Sequence, residues 1–239
     1  MSLRQTIKEI EMKKVMILFI SVLLLGAAYG QQKEERKLGD FDEIKVSNAI
    51  NLYLKQGNET KAVVEVDGID LNKVETEVSG GTLKIYIHNN SNNFRRSMHV
   101  KVYVTYKSLE GISASSASDV YSESVIKSER LELSVSSAAS MELDLDVNYL
   151  DMSASSAGDL ELSGEAGKVD GAASSAGDID AFDLVCKSAT LRASSAGDIK
   201  INITEEIEAR ASSGGSVKYK GNPSKSNTDS SSGGSVRKF

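Results

Sequence analysis

Hydrophobic and polar residues alternate with a period of two along most of the chain after residue 40. Around one turn, for example, Leu150, Met152 and Ala154 alternate with polar neighbours, and Leu160 and Leu162 resume the alternation beyond it. This period places one face of a strand against a core and the other face in solvent. Since no stretch of useful length after residue 40 has a helical period, the pattern predicts an all-β protein built from strand, turn, strand units.

A serine-rich phrase, typified by SASSAGDLEL at residues 153–162, occurs in seven versions along the rest of the chain. The second serine of each Ser-Ser pair recurs every 18 to 21 residues, about 19 on average. These serines are Ser116, Ser137, Ser156, Ser175, Ser195, Ser213 and Ser232. A strand-only repeat of this length is too short for a propeller blade and is typical of one coil of a parallel β-helix.

The repeated phrase is predicted to form one corner of each coil. Equivalent positions of a solenoid stack about 4.8 Å apart, so each residue must tolerate its own copy above and below. We expect the second serine of each pair to point into the corner and the first to point outward. Glycines near the end of the phrase are expected to supply backbone conformations, including positive φ, that strain other residues. They are Gly158, Gly177, Gly197, Gly214 and Gly233.

The N-terminus carries the pattern of a secretory signal. A basic segment at residues 12–14 precedes an apolar run at residues 15–25, and the small residues Ala28 and Gly30 follow. The apolar run is too short to span a membrane as a helix. We therefore predict a signal peptide at residues 1–30, in which residues 1–11 are an upstream extension if translation begins at Met12. An uncleaved membrane anchor is the alternative interpretation.

The remaining chain divides by pattern into two regions. Residues 31–110 are strand-rich but lack the Ser-Ser corner, and residues 111–239 contain the regular repeats. We interpret the first region as irregular initial coils of the same solenoid, with a separate small β domain as the alternative. After signal cleavage we expect no transmembrane segment, and we predict an exported protein that is periplasmic, secreted or on the cell surface.

Composition narrows the function classes. The formal net charge of −6 argues against nucleic acid as a partner, because such binding needs a basic patch. Cys186 is the single cysteine, and His88 and His99 are the two histidines. The chain therefore has no internal disulfide and no Cys/His cluster for a metal. Nothing places a histidine beside a serine, so the pattern does not indicate a serine nucleophile.

Several motifs match a family pattern. Residues 41–46 (FDEIKV) look like an opening strand, residues 49–51 (AIN) take the place of a Gly-Ile-Asn, and residues 81–85 (GTLKI) fit the middle. On these motifs the chain resembles the putative auto-transporter adhesin, head GIN domain family of exported Bacteroidetes proteins. Ala49 and the Ser-Ser-Ala-Gly-Asp corners depart from that pattern. The resemblance implies a right-handed, single-stranded parallel β-helix, like that of pectin lyases, without known catalytic residues, and a role in adhesion.

Two outward rows are candidates for ligand binding. The first serine of each pair forms a ladder of hydroxyls that could meet a glycan, and it includes Ser155, Ser174, Ser194 and Ser212. Arg192 and Arg210 share the position three before the second serine, and planar guanidinium groups suit sugar acids. The alternatives are a solvated edge of small residues, and arginines that pair with Asp229.

Asp159, Asp178 and Asp198 occupy the same corner position on three consecutive coils. Stacked carboxylates repel one another unless something neutralises them, and calcium takes oxygen ligands of this kind. These three residues are therefore a candidate calcium site. The alternative is that each aspartate caps its own turn by accepting backbone hydrogen bonds. No other cofactor is indicated.

Together these patterns predict a non-catalytic exported protein that binds a glycan or a host or cell-surface protein. One alternative is a self-associating structural protein of the cell envelope, a homo-oligomer joined through solenoid ends or edges, because the repeat has no evident cap. The other is a polysaccharide lyase or hydrolase. That activity would need an acid pair, or an acid cluster with a base, converging in one groove.

Overall fold

The computed structural model describes residues 32–88 and 98–239. The predicted signal peptide at residues 1–30 therefore lies outside the described residues. Residues Lys33–Phe239 form one compact unit. Within the described residues, no helix has the length and apolar character needed to cross a membrane.

The described residues form seventeen β-strands and one short 3-10 helix at Leu71–Lys73. The strands are β1 (Gln32–Lys37), β2 (Glu43–Val46), β3 (Asn51–Gln56), β4 (Lys61–Asp67), β5 (Val74–Ser79), β6 (Thr82–Ile87), β7 (His99–Tyr106), β8 (Gly111–Ala114), β9 (Asp119–Ser122), β10 (Ile126–Ser136), β11 (Ser140–Ser155), β12 (Asp159–Ala173), β13 (Asp178–Ala193), β14 (Asp198–Ala211), β15 (Ser216–Lys220), β16 (Lys225–Ser230) and β17 (Ser235–Lys238).

Successive coils stack through parallel strand pairing. Strands β10 to β14 pair in chain order, and β15, β16 and β17 continue the stack. Register partners are one coil apart, as in the pair Ser140 and Asp159. On the N-terminal side, β2 pairs with β8 and β3 pairs with β9, also in parallel. The predicted parallel β-solenoid, with coils of about 19 residues, is confirmed.

The first strands include antiparallel pairs that the repeats lack. Strand β4 runs antiparallel to β7, β5 runs antiparallel to β6, and β1 pairs with β4. Arg36 of β1 donates hydrogen bonds to the carbonyl oxygens of Leu71 (3.0 Å) and Val74 (2.5 Å). This guanidinium group therefore links β1 to the segment that leads into β5.

The interior is one continuous aliphatic core built from the alternate positions of the strands. Leu160, Ile179 and Ile199 are register partners in consecutive coils, and each has 0% of its surface exposed. Burying such side chains gives each about 1.5–3 kcal/mol of hydrophobic stabilisation. Stacking of equivalent aliphatic side chains therefore holds neighbouring coils together.

Each corner is a tight turn in which two consecutive residues have positive φ. In the turn at residues 155–158, Ser156 has φ 52° and Ala157 has φ 58°, and the N–H of Gly158 donates to the carbonyl oxygen of Ser155 over 2.9 Å. Two central residues with positive φ define a type I′ turn. The second serine of the pair is a central turn residue and is exposed. The prediction that it points inward is therefore wrong.

The corner glycines have two different roles. Gly214 and Gly233 adopt positive φ (74° and 78°), as predicted. Gly158, Gly177 and Gly197 do not, so for these three the prediction of positive φ is wrong. They are buried instead, and a Cβ on Gly158 would lie 2.8 Å from the carbonyl oxygen of Val135 in the preceding coil. Glycine occupies these three corners because a Cβ there would overlap the backbone of the preceding coil.

Replacing Ala157 with glycine is expected to raise the free energy of unfolding by about 0.5–1 kcal/mol. The left-handed conformation costs a non-glycine residue about 1–2 kcal/mol, while glycine loses about 0.5–1 kcal/mol more chain entropy on folding. Urea denaturation of the variant measures the change. Ala154→Gly is the matched control: Ala154 is buried in β11 without positive φ, so its replacement should destabilise. A loss of stability in both variants would contradict this account of the corner.

The inward positions of β16 differ from those of the coil before it. Ser226, Thr228 and Ser230 are the register partners of the core residues Ile207, Ala209 and Ala211. All of β16 is exposed. Polar residues at the inward positions of this coil reduce the apolar surface that it exposes to solvent. The sequence analysis identified no cap because it did not consider this replacement of apolar inward residues by polar ones.

Candidate binding surface

The first serine of each corner pair forms a straight ladder on the outside of the solenoid. Ser136 and Ser155 are register partners, and the N–H groups of Ser174, Ser194 and Ser212 each donate to the preceding coil over 2.9–3.0 Å. The ladder consists of Ser115, Ser136, Ser155, Ser174, Ser194, Ser212 and Ser231, and Ser47, which precedes the turn at Asn48 and Ala49, continues it. We call it the outer row. It places the four serines proposed from sequence in one line, about 4.8 Å apart.

Most hydroxyls of this row are not used by the protein; the exception in the described structure is that of Ser47, which donates to the side-chain oxygen of Asn48 over 3.1 Å. Within residues 32–88 and 98–239, the hydroxyl groups of Ser155, Ser174, Ser194 and Ser212 make no hydrogen bond with protein atoms. Their side chains are half-buried. Each hydroxyl can donate one hydrogen bond and accept two, so the row offers a regular array of groups to a ligand.

A second row runs beside the outer row, two residues earlier in each strand. Its members are Lys84, Lys45, Ser113, Ser134, Ser153, Ala172, Arg192, Arg210 and Asp229. We call it the inner row, and the two rows together the serine strip. The strip is lined by small residues in its middle, and a pair of basic residues lies toward each end.

Arg192 and Arg210 are register partners on β13 and β14, as their spacing predicted. The guanidinium of Arg210 lies 3.0 Å from a carboxylate oxygen of Glu208 on the same strand. Asp229 is the register partner of Arg210 but forms no ion pair with it. The alternative interpretation, in which the arginines pair with Asp229, is therefore wrong. A polar hollow of about 460 Å³ lies beside Arg210, Thr228 and Asp229.

A second hollow lies toward the opposite end of the strip, and sequence reasoning missed it. It has a volume of about 270 Å³ and is lined by Lys45 of β2, by Lys84 and Tyr86 of β6, and by serines of β8 and β10. Its lysines and its tyrosine come from β2 and β6, which do not contain the repeated phrase. The sequence does contain a signal for this hollow, which is a lysine at an outward position of both β2 (EIKV) and β6 (TLKIYI).

The predicted calcium ligands also lie in register. Asp159, Asp178 and Asp198 are consecutive partners on β12, β13 and β14. One oxygen of Asp178 and one of Asp198 are buried without a hydrogen-bond partner in the described structure. No backbone N–H donates to these three carboxylates within those residues, so the turn-capping alternative is wrong.

A metal site is not assembled around these carboxylates. In the described ranges, no group of three or more His, Cys, Asp or Glu side chains could hold a metal ion. Lys218 instead lies 3.4 Å from Asp198, and Lys200 lies 2.8 Å from the neighbouring Asp180. Calcium binding at Asp159, Asp178 and Asp198 stays a prediction.

Two neighbouring aspartates of β13 have opposite pKa shifts. Burial raises the pKa of Asp178; the charge of Lys200 opposes this shift, and the charges of Asp198 and Asp159 add to it. Burial also acts to raise the pKa of Asp180, but hydrogen bonds from Lys200 and from the N–H of Phe182, together with the charge of Lys200, outweigh it and lower the pKa. The ionised form of Asp178 is therefore disfavoured in the folded protein, whereas that of Asp180 is favoured.

Replacing Asp178 with asparagine is expected to raise the melting temperature at pH 7 in the presence of EDTA. An acid with a raised folded pKa stabilises the fold when protonated, and this contribution is lost as the pH rises through that pKa. The gain from Asp178→Asn should therefore vanish in acid. Thermal denaturation at pH 7 and at pH 3 measures both effects. Asp180→Asn is the control and should lower the melting temperature at pH 7, since it loses the hydrogen bond from Lys200. Equal losses of melting temperature in the two variants would contradict the opposite pKa shifts of Asp178 and Asp180.

Three tyrosines stack on a different side of the solenoid. The ring centroid of Tyr53 lies 4.8 Å from that of Tyr103 and 5.3 Å from that of Tyr121, with interplanar angles of 16° and 21°. The faces of neighbouring rings therefore pack against one another, which leaves the ring edges and hydroxyl groups for solvent. This column supports cross-strand pairing and does not present an open aromatic platform.

Cys186 has no features of a nucleophile. Its side chain is 1% exposed, and burial raises the pKa of its thiol to about 12. A reactive cysteine needs a lowered pKa and solvent access. Cys186 therefore belongs to the core.

Comparisons with known proteins agree with the fold. The family model for the putative auto-transporter adhesin, head GIN domain, matches residues 40–223. A putative adhesin from Bacteroides fragilis NCTC 9343 is similar in structure, with a TM-score of 0.80, 22% identity, and coverage of 89% of this chain and 98% of that chain. No curated protein matches the chain.

Two further solved structures have the same coverage of 89% of this chain and 98% of theirs. A putative adhesin from Parabacteroides distasonis ATCC 8503 has a TM-score of 0.70 and 21% identity. A putative lipid binding protein from the same organism has a TM-score of 0.65 and 22% identity. At these identities the structural matches show a shared fold.

Proposed function

Because the chain belongs to the putative auto-transporter adhesin, head GIN domain family, we propose that it is an exported, non-catalytic module that binds a glycan or a cell-surface protein. The observation that carries this proposal is the outer row of the serine strip. Its hydroxyls lie in register over consecutive coils, and apart from that of Ser47 they make no hydrogen bond to protein atoms in the described structure. A ligand with its own repeating polar groups could meet many of these hydroxyls at once.

Recognition by such a strip would be multivalent. A single hydrogen bond to a surface hydroxyl contributes only about 0.5–1.5 kcal/mol. Contacts repeated along one ligand raise the overall affinity, because each further contact forms within an existing complex. The strip is built on paired strands, so it needs little ordering on binding. Arg192 and Arg210 would add charge-assisted bonds to acidic groups.

The placement of charged residues supports a binding module over an enzyme. Glycoside hydrolysis needs two acids on opposite sides of one bond, and a lyase needs acids and a base in one groove. Here Arg192 precedes the corner turn at residues 194–197, and Asp198 follows it. The hollow beside Arg210 is lined by Thr228 and Asp229 and by none of the aspartates of the ladder, so the acidic ladder and the arginine pair do not line this hollow together.

Calcium at the aspartate ladder is a separate proposal. The buried oxygens of Asp178 and Asp198 without hydrogen-bond partners in the described structure support it, because calcium would supply the missing partner. Calcium should then raise the melting temperature of the wild-type protein and leave that of Asp178→Asn unchanged. An equal response of both proteins would overturn calcium binding at this ladder.

A binding screen tests the proposed function. The purified protein is presented to glycans and host matrix proteins, with and without calcium. We expect reproducible binding that weakens about tenfold or more in the variant Arg192→Ala/Arg210→Ala. Arg130→Ala is the matched control, since Arg130 is exposed but lies on β10 outside the serine strip. Folded protein that binds nothing in the screen would overturn the proposal.

A further inference from the structure

The hollow at Lys45 and Lys84 carries positive charge that the protein neutralises only in part. The two lysines are register partners on adjacent parallel strands and are both exposed. Like charges directly opposite one another destabilise a sheet. Lys45 has one carboxylate partner, Glu43, at 4.0 Å, and Glu43 also accepts a hydrogen bond from Thr82 over 2.9 Å.

Lys84 has no ion pair within the described residues. Glu77 is its register partner across β5, but the two side chains do not come within 4.0 Å. Another lysine pair, Lys200 and Lys218, shows the contrast, because each has its own aspartate at 2.8 Å or 3.4 Å. The lysines at the hollow are therefore available to an anion from outside the protein.

The other walls of the hollow suit a sugar. Tyr86 is half-buried, and its ring stacks on no other aromatic ring in the described ranges, unlike the rings of Tyr53, Tyr103 and Tyr121. An aromatic ring with an open face and a hydroxyl can pack on an apolar surface and also form hydrogen bonds. Ser113 and Ser134 add hydroxyls at the floor. A simple inorganic anion would need neither the ring nor the serines.

The inner row connects this hollow to the arginine pair. Ser113, Ser134, Ser153 and Ala172 separate Lys45 from Arg192, which gives five coil steps, or about 24 Å. These four residues are small, so a linear chain could lie along the row and reach a basic pair at each end. A single acidic sugar would reach only one pair.

The residues beside the middle of the row limit the charge of such a chain. Glu132, Asp151 and Asp170 are consecutive register partners, each two residues before a member of the inner row, and all are exposed. They would repel acidic groups over the middle coils. The surface therefore fits a ligand whose acidic sugars are separated by neutral ones.

We infer that the serine strip binds a linear polysaccharide with spaced acidic sugars, and that Lys45, Lys84 and Tyr86 form the subsite for one of its carboxylates. This inference rests on the proposed function, since it names the ligand class and adds a second anchor to the same strip. Arg192 and Arg210 would hold another acidic sugar of the same chain.

Calorimetric titration of the purified protein tests the inference with three probes. They are gellan fragments, whose uronates are separated by neutral sugars, polygalacturonate, which has an acid on every sugar, and dextran, which is neutral. We expect gellan to bind, polygalacturonate to bind more weakly and dextran not to bind. Lys45→Ala/Lys84→Ala should weaken gellan binding about tenfold or more and reduce its salt dependence. Tyr86→Leu should weaken it at unchanged salt dependence.

The control variant is Lys55→Ala/Lys101→Ala, which removes two exposed lysines from β3 and β7, outside the strip. It should bind gellan like the wild type. Unchanged gellan affinity in Lys45→Ala/Lys84→Ala would overturn the subsite, and the proposed function would stand if Arg192→Ala/Arg210→Ala still lost binding. Polygalacturonate binding as tightly as gellan, or binding to anionic lipid vesicles in place of glycans, would also overturn the inference. Absence of binding to every glycan and protein would overturn both.

Discussion

Replacing Gly177 with alanine is expected to lower the free energy of unfolding by about 1–3 kcal/mol. A Cβ at this position would overlap the carbonyl group of Ala154 in the preceding coil. The backbone cannot move away freely, because the N–H of Asp178 donates to the carbonyl oxygen of Gly158 over 3.0 Å. Urea denaturation followed by circular dichroism measures the loss.

Ala139→Gly is the matched control for this variant. Ala139 occupies the same corner position in an earlier coil, where its N–H donates to the carbonyl oxygen of Ser136 over 3.2 Å and its side chain is buried. Removing its methyl group should cost only about 0.5–1 kcal/mol. If Gly177→Ala were as stable as the wild-type protein, close approach of the coils would not explain the corner glycines.

Replacing Ile199 with alanine is expected to cost about 2–5 kcal/mol. Ile199 is 0% exposed and lies in register between Ile179 and Val217 of the neighbouring coils. The cavity would remove contacts on both sides, and a solenoid depends on the contacts between adjacent coils. The change in the midpoint of urea denaturation gives the magnitude.

Val185→Ala separates this effect from a general loss of aliphatic surface. Val185 lies in the same solenoid but is 42% exposed. Its truncation should change stability by no more than about 0.5 kcal/mol. Equal losses from Ile199→Ala and Val185→Ala would show that the stacked interior does not dominate the stability of the fold.

The architecture could be predicted from sequence because a solenoid repeats its structure together with its sequence. The spacing of the Ser-Ser pairs is the length of one coil, and the alternation around Leu150 and Leu160 is the alternation of buried and exposed positions. The antiparallel strands β4 and β5 were not predicted. They carry the same period of two as the parallel strands, and that period does not encode strand direction.

The position of the corner in the sequence was predicted correctly, but the positive φ angles were assigned to the wrong residues. Ser156 and Ala157 adopt positive φ, although neither residue type favours that conformation. The informative signal lay in the last two repeats, where Gly214 and Gly233 replace the alanine. Gly177 is required for a different reason, the proximity of another coil, which a single coil's sequence does not reveal.

The candidate site was predictable only where the repeat is regular. The serine ladder and the pair Arg192 and Arg210 follow from spacing, since equivalent positions of successive coils lie side by side. Lys45 and Lys84 come together through the pairing of β2 with β6. Those strands lie 39 residues apart in register and have no repeated phrase, so only the three-dimensional structure joins them.

We propose that the serine strip recognises a repetitive ligand by many weak contacts. The most direct test measures the affinity of the purified protein for a graded series of gellan fragments, from a single sugar to the full polymer. We expect affinity that rises steeply with fragment length and levels off once a fragment spans the strip. A single sugar that binds as tightly as the polymer, or a series without binding at any length, would contradict it.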